Sequence, residues 1–321
     1  MSSITISIAI PIAQSRRTGN RVTALRWAGL LRSMGHRVRF AKPGLVPDAD
    51  VLIALNAVKT AAISRGFLKL HPTRPLVVAL TGTDVFSSEG SSDDAADVMI
   101  RSAAIVVLQS DMADRIPREH RCKLHLIVQS FVPPPDLPEP NLDRFDVAVI
   151  GHLRAVKDPF LAAKASRLLP LDSKITIVHL GGELEPGYAE MARAEERIGP
   201  RYRWLGELRR RDAIRTLARC RLLVMTSKSE GGPSAISEAI GCGVPVLSTR
   251  TSGAIGLLGK DYPGYFGFGD ERELAGLLDR CERDPAFLGE LKRACTRLSP
   301  LFDVEREREA WKRLLSDVIP S

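Results

Sequence analysis

The sequence predicts an α/β protein of two domains, each a parallel sheet covered by helices on both faces. Three observations predict it. Strand-like and helix-like segments alternate through both halves of the chain, which implies parallel pairing. A proline-dense segment at 132–140 separates the halves, and 321 residues are too many for one hydrophobic core.

The elements follow in order. Residues 4–10, Ile-Thr-Ile-Ser-Ile-Ala-Ile, are apolar and β-rich and read as the first strand. A polar loop follows at 14–20. Residues 21–34 then show helical spacing through Val22, Leu25, Leu30 and Leu31, stopped by Gly35. Segments 36–40, 51–55, 76–80 and 104–108 read as further strands, and 57–70 and 93–101 as helices. Segment 132–140, Val-Pro-Pro-Pro-Asp-Leu-Pro-Glu-Pro, continues neither helix nor central strand, because proline lacks the N–H and fixes φ. It reads as an interdomain linker, giving domains 1–140 and 141–321. Strands are then expected at 146–150, 175–179, 221–226 and 244–248. Helices are expected at 159–168, 212–219, 271–280, 285–296 and 304–318. The last is amphipathic through Trp311, Leu314 and Leu315 and is assigned to the second domain.

Composition narrows the function classes. Hydrophobic residues at 44% and charged residues at 26% describe a soluble globular protein. No apolar run is long enough to span a membrane, and the N-terminus lacks the basic flank of a secretory signal, so a cytoplasmic location without stable membrane insertion is expected. The five cysteines are scattered, with no Cys-x-x-Cys pair, as suits reduced thiols. The net charge of +8 favours an anionic partner: nucleic acid, a membrane surface or a small anionic substrate. Aromatic residues at 5% leave little for base stacking, which disfavours nucleic acid. The run Arg209-Arg210-Arg211 reads as a solvated helix start. Metal-ligand spacing, a Gly-x-Ser-x-Gly elbow and a P-loop signature are all missing from the sequence, so neither a metal nor another cofactor is expected.

Polar clusters fall at the carboxyl ends of the predicted strands, where open α/β sheets bind ligands. The strongest is Ser227-Lys-Ser-Glu230-Gly231-Gly232-Pro233-Ser234-Ala-Ile-Ser-Glu238. Ser234 is a candidate N-cap, which would put Glu238 in the first helical turn. Acids gather near helix N-termini to meet the macrodipole, which accounts for Glu238 but not for a second acid beside a double glycine. Ionised carboxylates only accept hydrogen bonds and sugar hydroxyls donate them, so the cluster reads as a sugar-nucleotide site. Gly151-His152-Leu-Arg154-Ala-Val-Lys157 places two cations after the strand at 146–150, suited to a pyrophosphate. His152 is equally a ligand contact or a loop histidine. Paired Gly181 and Gly182 read as a turn, and Gly206 and Glu207 as neighbours of a nucleobase. In the first half, Arg17, Gly19, Asn20 and Arg21 form a basic loop opening a helix, and Thr81, Gly82, Thr83 and Asp84 follow a strand. Both loops suit an acceptor. Asp84 has three readings: a base, a group that orients the acceptor, or a structural turn or cap residue.

The Glu230-x7-Glu238 spacing, with Ala239, Gly243 and Pro245, resembles the signature of GT-B glycosyltransferases of the glycogen-synthase-like superfamily. That resemblance implies a GT-B fold, two Rossmann-like domains facing a central cleft, with nucleotide-sugar on the second and acceptor on the first. It implies that Glu238 bonds ribose hydroxyls, Glu230 the donor sugar, Lys157 the diphosphate, and the 231–234 backbone both sugar and diphosphate. The family usually has arginine where His152 stands, with Arg154 two residues on as its substitute. Over nearly the whole length, the stretches at 19–27, 80–84, 151–159, 202–207 and 261–266 resemble the selenosugar synthases (SenB) of selenoneine biosynthesis. That resemblance implies a UDP-sugar of glucose or N-acetylglucosamine type as donor, selenophosphate as acceptor, and a 1-selenosugar as product. Arg154, Lys157, Glu230 and Asp84 are the residues expected to carry the reaction. The competing expectations are a glycosyltransferase acting on a hydroxyl of a glycan or lipid, and, from the charge alone, a non-enzymatic binder of anionic polymers or membranes.

Overall fold

The computed structural model describes residues 3–11, 19–82, 84 and 93–319. The chain divides into two compact units, Met1–Ser130 with Asp303–Ser321, and Phe131–Phe302.

In the first unit the described strands are β1 (Thr5–Ala9), β2 (Arg37–Phe40), β3 (Val51–Leu55), β4 (Leu76–Ala79), β5 (Ala104–Val107) and β6 (Leu124–Leu126). They form one parallel sheet in the order β2-β1-β3-β4-β5-β6. Its helices are α1 (Gly19–Ser33), α2 (Ala61–Leu70), α3 (Asp93–Arg101) and α4 (Ser110–Ala113). The uninterrupted apolar run of β3 is explained by burial on both faces. Val51, Ile53 and Leu55 join the core with Trp27 and Leu31 of α1, while Leu52 and Ala54 join that with Phe67 of α2 and Val98 of α3.

The second unit contains β7 (Phe145–Ile150), α5 (Leu161–Arg167), β8 (Ile175–Leu180), α6 (Tyr188–Ile198), β9 (Tyr202–Trp204), α7 (Arg210–Arg219) and β10 (Leu222–Met225). It continues through α8 (Ser234–Gly241), β11 (Val246–Thr249), α9 (Ser252–Leu258), β12 (Tyr265–Phe266), α10 (Glu271–Arg283) and α11 (Pro285–Leu298). Its sheet is again parallel, in the order β12-β11-β10-β7-β8-β9.

The terminal helix α12 (Val304–Val318) corrects the expected domain division. Trp311, Leu314 and Leu315 are fully buried in the first unit's core, and Trp311 meets Trp27 edge to face at 4.9 Å. Glu307, also on α12, is buried beside them. It pairs with Arg26 and accepts hydrogen bonds from Trp27 Nε1 at 3.0 Å and from the Ser130 amide at 2.9 Å. An apolar stripe requires a buried partner but does not say which sheet supplies it. The proline-dense segment likewise belongs to the second unit, where Asp136 accepts from Arg211 at 2.9 Å and Arg215 at 2.7 Å.

Among the described residues no helix is long and apolar enough to cross a membrane, and no group of three or more His, Cys, Asp or Glu side chains is placed to hold a metal ion. All five cysteines are free thiols, and burial pushes Cys220 and Cys281 up to about 12.

Candidate functional site

The strand order of the second unit locates its site. From β7 the chain moves outward through β8 and β9, then returns to the other side of β7 with β10 and moves outward again through β11 and β12. The order therefore reverses between β7 and β10, and loops at the carboxyl ends of strands diverge at such a reversal. The two strongest sequence clusters are the loops that leave these two strands.

Hydrogen bonds stitch the two loops together. After β7 the chain passes Gly151, His152 and Arg154 into a 3₁₀ turn, Ala155–Lys157, closed by Asp158 at φ 41°. Thr226 Oγ1 donates to the Lys157 carbonyl at 2.8 Å, and the Lys228 amide donates to that of Val156 at 2.9 Å. The Lys157 ammonium meets Glu230 Oε1 at 2.5 Å, with both side chains largely buried. The Ser227 hydroxyl donates to that same oxygen at 2.5 Å, and Ser227 is held in turn by Thr249 Oγ1, which donates to its carbonyl at 2.6 Å. Ser227 opens the sequence cluster with no role legible in its pattern, and Thr249, at the end of β11, lies outside that cluster. The buried Nε of Arg154 has no hydrogen-bond partner among the described residues, an arrangement that suits an incoming acceptor oxygen.

The paired glycines after β8 serve close approach more than a turn. Gly181 has φ 149°, and a Cβ there would lie 2.0 Å from the Gly151 carbonyl oxygen. Buried His179 fastens the same crossing, with Nε2 3.0 Å from the Gly151 oxygen and Nδ1 2.8 Å from the Tyr202 hydroxyl. Nε2 must therefore carry the proton and Nδ1 accept from tyrosine. Burial lowers the His179 imidazole to about 4, which keeps it neutral. Trp204 Nε1 donates to the Gly181 carbonyl at 2.7 Å. The Gly182 amide donates to His152 Nδ1 at 3.0 Å, so the remaining ring proton of His152 sits on Nε2. Glu207 comes within 3.2 Å of where a Gly182 Cβ would stand, and the Gly206 carbonyl accepts from the Gly181 amide at 2.8 Å. His152, Gly206 and Glu207 are thus joined through this glycine pair.

Helix α8 starts one residue earlier than expected. Pro233, at φ −69° and ψ 107°, holds the cap position, and Ser234 is the first helical residue. The reason is local: proline holds φ near this value, and its extended ψ keeps it outside the helix. Without a side-chain cap, the first N–H groups of α8 stay suited to an anion. Glu238 consequently lies in the second turn, only 7% exposed, with its Oε1 accepting from Arg210 Nη1 at 2.8 Å. Gly231 and Gly232 lead into this start, and Gly253 of α9 packs so closely on Glu230 that a Cβ would lie 2.6 Å from its carbonyl oxygen.

In the first unit the chain order reverses between β1 and β3. Arg17 and Thr83 lie outside the described residues. Gly19, Asn20 and Arg21 open α1. Asp84 was expected among the reacting groups, and its surroundings instead favour the structural reading. It is 3% exposed, and its carboxylate accepts the amides of Ala57 at 3.0 Å, Thr81 at 2.9 Å and Gly82 at 2.9 Å. It therefore ties the loop after β3 to the loop after β4. Burial drives its carboxyl upward against those three donors. Asn56 completes the clasp at φ 74°, accepting the Lys59 amide at 2.9 Å through Oδ1.

The chain belongs to the Glycosyl transferases group 1 family, which matches residues 137–297, half of its 321 residues. Solved structures of the same fold extend the likeness to the whole chain. Anabaena HepE in complex with UDP-glucose superposes with a TM-score of 0.76 at 17% identity, covering 98% of this chain and 99% of that one. Sucrose-phosphate synthase from Thermosynechococcus elongatus gives 0.76 at 14% identity, covering 98% of each chain. The pneumococcal O-GlcNAc transferase GtfA in complex with UDP and GlcNAc gives 0.65 at 15% identity, covering 84% of this chain and 57% of that one. The fold is the GT-B fold of two Rossmann-like domains.

Proposed function

We propose that this glycosyltransferase takes a hexosyl group from a UDP-sugar and transfers it to selenophosphate, giving a 1-selenosugar. The observation that carries the donor half is the Lys157–Glu230 pair joining the two loops at the β7/β10 reversal. It sets a cation and a hydroxyl acceptor side by side, as the diphosphate and sugar ends of one ligand require. UDP, UDP-glucose or GlcNAc bound to HepE and GtfA supports the donor class. The acceptor rests on the resemblance of the five motif stretches to selenosugar synthases, together with the basic residues beside Gly19.

In this reading Glu238 accepts the ribose hydroxyls and Glu230 those of the sugar. Gly231, Gly232 and the uncapped start of α8 meet the diphosphate and sugar with backbone N–H groups, and His152, Gly206 and Glu207 border the nucleoside. Selenium attacks the anomeric carbon as the bond from that carbon to the diphosphate oxygen breaks, and UDP leaves with the electron pair. Lys157 and Arg154 stabilise the charge that develops on the leaving oxygen. The ammonium has three donors, so Lys157 can keep Glu230 and still reach a phosphate oxygen. Anionic selenium needs no proton removed. Asp84, already holding three amides, then orients the acceptor loop instead of acting as a base.

Mass spectrometry of reactions containing UDP-glucose or UDP-N-acetylglucosamine tests this directly, with selenophosphate and simple alcohols as competing acceptors. A selenosugar phosphate or its hydrolysis product is expected. Exclusive glycosylation of alcohols would replace the acceptor assignment and keep the donor one. Lys157→Ala should lower kcat/KM about 10²- to 10³-fold, and an unchanged value would remove lysine from the mechanism.

A further inference from the structure

The arginine run 209–211 does not behave as a uniform solvated helix start. Arg209 occupies the N-cap position of α7, Arg211 pairs with Asp136, and Arg210 reaches the buried carboxylate of Glu238. We propose that Arg210 is a positioning residue that holds Glu238 for the ribose, so that it sets the preference for a nucleoside diphosphate bearing 2′ and 3′ hydroxyls over its deoxy counterpart. This rests on the nucleotide-sugar reading of the same site.

Three contacts carry the inference. Glu238 is 7% exposed, and a buried carboxylate needs an opposing charge or several donors to remain in place. Arg210 Nη1 supplies a charge-assisted hydrogen bond at 2.8 Å. A carboxylate has about four lone-pair directions, and the arginine bond engages one of them, on Oε1. The arginine is itself held on its other side, with its guanidinium carbon 6.0 Å from the centre of the Phe131 ring. Phe131 rests on Gly241 so tightly that a Cβ there would lie 2.4 Å from its Cδ1, and its amide donates to the Phe302 carbonyl at 3.1 Å. Gly241 ends α8, the helix that bears Glu238. Phe131, Arg210, Glu238 and Gly241 therefore form a closed circuit, and α8 supplies both of its ends. Although the Arg210 side chain is 48% exposed, it is turned toward a buried acid.

Calorimetric titration of the full chain with UDP and with 2′,3′-dideoxy-UDP tests this on the wild type, Arg210→Ala, Arg210→Lys and Glu238→Gln. The wild type should prefer UDP by about tenfold or more, the scale of lost hydrogen bonds to a charged group. Arg210→Ala should weaken UDP by about tenfold and leave the dideoxy ligand within about twofold. Arg210→Lys should restore part of the preference, and adding Arg210→Ala to Glu238→Gln should cost nothing further. Equal weakening of both ligands would assign Arg210 to the diphosphate or to general stability and overturn the inference. So would a preference that survives in Arg210→Ala, and in either case the nucleotide reading stands. A wild type that binds neither ligand would overturn the nucleotide reading, and the inference with it.

Discussion

At the scale of single residues, burial separates groups that look alike in sequence. His152 and His179 both stand at strand ends, yet only His179 is locked between a carbonyl and a tyrosine hydroxyl. Its folded imidazole titrates at about 4 against the ordinary 6.5, with burial as the main cause. Between those values the unfolded chain binds a proton that the folded chain does not. Stability from this group is thus complete above pH 6.5 and is lost as the pH falls to about 4. The loss amounts to about 3 kcal/mol. Urea unfolding of the wild type and of His179→Gln across that window should show the variant with the shallower pH slope; parallel curves would remove His179 as the cause. Asp84 makes the same point for acids. Its position after a strand was legible, but the three amides that occupy it come from two loops that only folding brings together.

Elements of the sheets were legible where they are long enough to show a period. Apart from the edge strand β2, whose Arg37 and Arg39 are exposed, every strand of four or more described residues falls in a segment that reads largely apolar and β-rich, because such strands are buried on both faces. The edge strands β6, β9 and β12 have two or three residues, too few to show a period that marks a strand in sequence. In sequence the glycine pair at 181–182 reads as a turn, because its contacts lie on another strand's loop, some thirty positions away. That contact yields a contrast. Gly181→Ala would drive a methyl to 2.0 Å from the Gly151 oxygen. A loss of about 3 kcal/mol or more in urea unfolding is expected, together with weaker nucleotide binding. Gly187→Ala, at φ 88° with nothing within 4 Å, should cost only the backbone strain, about 1–2 kcal/mol. Equal losses at the two positions would show that close approach is not what Gly181 provides.

For the whole molecule, the chain leaves its first unit at Ser130, completes the second by Phe302, and returns to finish the first with α12. Trp311→Ala should therefore destabilise the first unit by about 3–5 kcal/mol, while hydrogen exchange in β7, β8 and β10 changes little. Faster exchange in those strands instead of in β1 and β3 would place α12 with the second unit. Local sequence is enough for the α/β class, the two β-α series and the two polar segments that carry Glu230, Glu238, Arg154 and Lys157. These are local matters of side-chain period, glycine and proline placement, and charge at strand ends. Tertiary structure alone decided that α12 belongs to the first sheet, that Asp84 is a clasp, and that Arg210 meets Glu238. Each depends on which apolar face or buried charge finds its partner across a long stretch of chain, and no local pattern encodes that choice.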